Sequence, residues 1–84
     1  MTGEHMTSMN DDIQKAISGL AECAAIIDQT IAEGDRSDIY LGIVRANVSH
    51  IGVVCDRDEI KQSGADLTEY RNAQLRGIVW LDQN

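Results

Sequence analysis

The chain has 84 residues without proline or phenylalanine, and its fourteen acidic and seven basic residues give a formal net charge of -7. So short a chain is one domain with a thin core, burying only ~60 to 65% of the surface its unfolded form exposes, which makes oligomerisation a natural supplement. The acidity leaves no basic stripe to release counterions, so direct binding to nucleic acid or to an anionic membrane is not expected.

Residues 1–9 are polar and carry all three methionines. They lack a basic n-region and an apolar h-region, and no apolar run in the chain approaches the ~18 to 20 residues that span a bilayer. A cytoplasmic protein is the expectation. His5-Met6 matches a dipeptide that a common cloning site encodes, so residues 1–9 read as a disordered N-terminal segment, in part a cloning remnant, ahead of a single helical domain over 10–84.

A first helix is predicted over about 11–33. Asn10 suits the N-cap, Asp11 and Asp12 place negative charge at the positive end of the helix dipole, and Gly34 supplies a left-handed stop. Its apolar residues Ile13, Ile17, Leu20, Ala24, Ile27 and Ile31 step by four and three, the spacing of a helix lying on another helix.

A second helix is predicted over about 36–61, with Asp35 or Ser37 as N-cap. Local propensity argues for strand, because Ile39, Ile43, Val44, Val48, Ile51, Val53 and Val54 are β-branched and Gly42 and Gly52 each weaken a helix by ~1 kcal/mol. The period argues for helix: Leu41, Val44, Val48, Ile51 and Cys55 repeat the same alternation of steps, and pattern outweighs propensity where burial is on offer. The two seams mirror each other about Gly34, pairing Ile13 with Cys55, Ile17 with Ile51, Leu20 with Val48, Ala24 with Val44 and Ile27 with Leu41. An antiparallel helical hairpin is the result.

Ser63-Gly64 breaks the chain, and Asp66-Leu67-Thr68-Glu69 reads as a capping box for a shorter third helix over about 66–82. Tyr70, Ala73, Gly77 and Trp80 make its stripe. Ile78 to Leu81 cover the whole circumference, so this end is expected either to be buried on two sides or to leave the helix. The fold class is therefore all-α, expected to complete a bundle as a homodimer.

The hairpin has two unlike flanks. One carries Ala16, Gly19, Cys23, Ile26 and Thr30 beside Tyr40, Ile43, Asn47, His50 and Val54 and is largely apolar; the other carries Gln14, Ala21 and Asp28 beside Arg45, Gly52 and Glu59. The apolar flank is expected to be covered by the third helix or by a second copy. Asn47 and His50 are read as polar residues that set register within it, since no second histidine completes a metal site. Tyr40, Ile43, Asn47, His50, Val54, Tyr70 and Trp80 are the candidate protein-binding residues, with Trp80 either a core anchor or an interface anchor.

Residues 1–42 hold eight acids and two bases, net -6, while 43–84 hold six and five, net -1. Asp28, Glu33, Asp35 and Asp38 surround the first connection as a candidate acidic surface. Cys23 and Cys55 lie ~15 Å apart in the hairpin and are expected to stay free thiols. Phosphate-binding, zinc, calcium and cofactor motifs are missing, and no catalytic constellation, cofactor or metal is expected. These residues point to a non-enzymatic, homodimeric protein-interaction module. The alternative is an acidic inhibitor of a nucleic-acid-binding protein, a mimic of the kind that small phage or mobile-element accessory proteins often are.

Overall fold

The computed structural model describes the backbone of residues 2–34 and 36–84 and the side chains from residue 10 onward, residue 35 excepted. Four packed helices follow in order: α1 Thr2–Glu33, α2 Asp38–Cys55, α3 Asp58–Ser63 and α4 Thr68–Asp82, with no strand among the described residues. The expectation of a disordered opening falls on residues whose side chains lie outside the described set. Asn10 is interior to α1 and is not its N-cap, since the helical backbone extends back to Thr2.

α1 closes at Gly34, whose φ of 68° is left-handed and whose N–H donates to the carbonyls of Thr30 (3.2 Å) and Ile31 (3.1 Å). That geometry satisfies two of the carbonyls a helix end leaves open. Ser37 then caps α2, its Oγ accepting from the Tyr40 N–H at 3.5 Å. Between the two candidate caps, the hydroxyl takes the position. The β-branched run of α2 is helical throughout, so burial on one face prevails over local preference.

The second helix does not run on to residue 61. It stops at Cys55; Asp56 and Arg57 form a turn, and Arg57 is extended with φ -66° and ψ 135° before α3 begins. Ile60 supplies the reason. It lies nine residues beyond Ile51, and at ~3.6 residues per turn that is two and a half turns, so in an unbroken helix it would face away from the core. The break turns it inward, and Ile60 is buried in the hydrophobic core. α3 ends at Gly64, the second left-handed glycine (φ 73°).

The start of α4 also differs from a capping box. Asp66 accepts from the Thr68 N–H (3.0 Å) and from its hydroxyl (2.6 Å), while Leu67 occupies the cap position. The side chain thus makes a tight turn two residues long, one step ahead of the helix. The far end stays helical to Asp82. Trp80 is buried and Leu81 half-buried, while Ile78 and Val79 remain exposed, so the surplus apolar turn neither leaves the helix nor is buried on two sides.

The core forms where α1, α2 and α4 meet. Leu20, Ile27, Val44 and Ile51 are fully shielded, Cys55 nearly so, and Ile13, Ala24, Ile31 and Leu41 pack at the margin. Each fully buried aliphatic contributes ~1.5 to 3 kcal/mol of transfer free energy, the main term that offsets chain entropy in so small a domain. α4 approaches closely at Gly77. A Cβ there would stand 2.5 Å from Val48 Cγ2 and 3.4 Å from Ile27 Cγ2.

Candidate interaction surface

Which flank α4 fills decides what is left for a partner. Arg76 of α4 pairs with Asp28 of α1 at 3.0 Å. Gln74 donates to the Val48 carbonyl of α2 at 3.5 Å, and a Cβ on Gly52 would meet the Gln74 amide at 2.6 Å. Ala21, Ala24, Ala25 and Asp28 share one cleft with Glu69, Tyr70, Asn72 and Arg76. α4 therefore lies on the flank expected to be polar and open. Small residues, Ala21 and Gly52 among them, let the helix in, and Arg76 meets the one acid in the middle of the path.

Among the described residues, the apolar flank is covered only at one end. There α3 lays Ile60 near Ile13 and Ala16, with Asp12, Arg57 and Glu59 at the rim of the cleft, and Val54 is buried. Along the rest, Ile26 is 41% and Ile43 38% exposed. Gly19, Cys23, Tyr40 and Asn47 beside them are half-buried, and His50 is exposed. Thr30 is buried, its hydroxyl donating to the Ile26 carbonyl at 2.8 Å.

Of the candidate binding residues, Tyr40, Ile43, Asn47 and His50 thus share one surface of α2. Val54 is buried in the core. Tyr70 packs half-buried against the core from the opposite flank, and Trp80 is a core residue whose carbonyl accepts from Asn84 Nδ2 at 2.7 Å. The acidic candidates divide as well. Asp28 is tied to Arg76, Glu33 accepts from Gln29 at 3.1 Å, Asp38 is exposed in the first turn of α2, and Asp35 lies outside the described residues.

Sequence reasoning missed one polar chain. Arg71 donates to Asp56 at 2.6 Å and to Gln74 at 3.2 Å, and Gln74 reaches the Val48 carbonyl, so α4 is tethered to the end and the middle of α2. The Arg71 guanidinium holds the Asp56 carboxyl below the usual carboxylate range. Only the spacing of Arg71 and Gln74, one turn apart, was visible beforehand.

Both cysteines are free. Burial raises the thiol of Cys23, with Glu22 adding to the rise, and burial likewise raises Cys55, so neither has the thiolate character of a nucleophile. Among the described residues no group of histidine, cysteine and carboxylate side chains could hold a metal ion, and no helix is long and apolar enough to cross a membrane. A further cleft is lined by Ile31, Leu75, Arg76, Val79, Trp80 and Gln83. Comparison with protein-family models, with curated proteins and with solved structures finds no match.

Proposed function

We propose that this chain is a non-enzymatic protein-interaction module that acts as a cytoplasmic homodimer. In this reading α1 and α2 form an antiparallel hairpin with Leu20 level with Val48 and Ala24 with Val44, and the uncovered side of the hairpin meets a second copy. The observation that carries it is the position of α4. By filling the Asp28 and Gly52 flank, it leaves Ile26 and Ile43 in solvent on the other. His50 among apolar neighbours, with Asn47 at the edge of the same surface, would then help fix the alignment of the two copies. Two free thiols suit a reducing compartment.

The acidic-inhibitor reading draws on Glu33 and Asp38, exposed on either side of the α1–α2 connection. It is the weaker one, because Arg76 already neutralises Asp28. Sedimentation equilibrium of the full chain at tens of micromolar tests the favoured reading. The expected mass is twice 9.2 kDa. A folded monomer across that range would rule the homodimer out.

A further inference from the structure

We infer that the second copy docks on the outward face of α2, helix against helix and antiparallel, about a twofold axis near Val48; this rests on the homodimer reading and specifies its contact. α2 carries two seams. Leu41, Val44, Val48, Ile51 and Cys55 face inward. Ile39, Ile43, Ala46, His50 and Val53 form a second, also in steps of four and three, and it faces solvent, with Ile39 74% and Val53 66% exposed. That spacing is the mark of a helical partner, and a helix apolar on two sides is one covered on both.

Three observations select a copy of this chain as that partner. Four of its five residues fit the same residues reversed: about Val48, Ile43 faces Val53 of the second copy and Ala46 faces His50, so small meets large in the central layers and two β-branched residues meet in the next, while Ile39 comes level with Arg57 just past the end of α2. This is the self-complementary arrangement a twofold contact requires. The charges also agree. α2 has one acid, Asp38, and one base, Arg45, and its seam carries no carboxylate, whereas α1 carries six acids and one base. Two chains of charge -7 meet with less repulsion through α2 than through α1, and a basic partner would find no carboxylate in the α2 seam to pair with. Finally, the exposed apolar patch of Leu75, Ile78 and Val79 spans little more than one turn of α4, runs into Asp82 and shares a cleft with Ile31 and Trp80, so it makes no comparable seam along one helix.

The test measures dimer dissociation of the full chain by sedimentation equilibrium, with circular dichroism to verify that each variant is folded. Val53→Glu and Ile43→Lys, each placing an unpaired charge in the seam, should raise Kd at least ~30-fold. The double variant should recover most of the loss, because the carboxylate introduced at 53 meets the ammonium introduced at 43 of the other copy at both ends of the contact. A parallel pairing would set like charges together and make the double variant worse, which overturns the proposed geometry. A wild-type dimer that ignores both single changes but is broken by Leu75→Glu or Val79→Glu overturns the α2 contact while leaving the homodimer standing. A wild-type monomer overturns both.

Discussion

Gly77 and Gly42 show how differently two helical glycines can behave. At Gly42 nothing lies within 4 Å of an added Cβ. Gly42→Ala should stabilise the fold by about 0.5 to 1 kcal/mol through restriction of the unfolded chain and better helix propensity. At Gly77 the added methyl would collide with Val48 Cγ2, on a β-branched side chain held between α2 and α4. Overpacking should outweigh the propensity gain, and Gly77→Ala should lose about 1 to 2 kcal/mol. Urea unfolding of both variants checks the opposite signs. The Asp28–Arg76 pair, exposed on both sides, directs where α4 sits but is worth at most ~1 kcal/mol.

Among the elements, the break between α2 and α3 has its own electrostatic clasp. Asp56 follows the last helical residue of α2, and Arg71 of α4 holds its carboxyl below the ordinary value. A carboxyl whose folded value is depressed adds stability above its unfolded value and loses it as pH falls through the folded one. The stability gap between wild type and Asp56→Asn should therefore be present at neutral pH and close progressively in acid below the usual carboxylate range. Thermal unfolding of both proteins across that range measures it.

The same elements mark what could be read from the residues. Leu20, Ile27, Val44 and Ile51, which the spacing predicts, are among the most deeply buried side chains, and the helical period of α2 outweighs its β-branched composition. The stop at Cys55 is less legible, because no proline or glycine marks it and only the phase of Ile60, half a turn off the seam, points to it. The flank taken by α4 escaped for a different reason. The polarity of single residues does not mark a docking site, because a docking helix needs small neighbours and one complementary charge, and Ala21, Gly52 and Asp28 offer both. Arg71 and Gln74 were illegible because their partners are contributed by another helix.

At the scale of the whole molecule, net charge separates the two functional readings by the sign of a salt effect. Two copies of charge -7 repel over distances comparable to the ~8 to 10 Å Debye length at physiological ionic strength, while the contact proposed between them is apolar. Added salt should tighten homodimer association. Binding to a basic partner through Glu33 and Asp38 would weaken as salt rises. Titrating sodium chloride against dimer Kd distinguishes the two, and a dimer that loosens with salt would count against the α2 contact.

The burial of Trp80 also gives the molecule a built-in optical reporter. As the sole indole, packed into the shared core on α4, it is placed to sense detachment of α4. Its emission can follow unfolding while hydrodynamic mass follows association. A loss of self-association with an unchanged fluorescence maximum would thus identify a surface variant in a single cuvette.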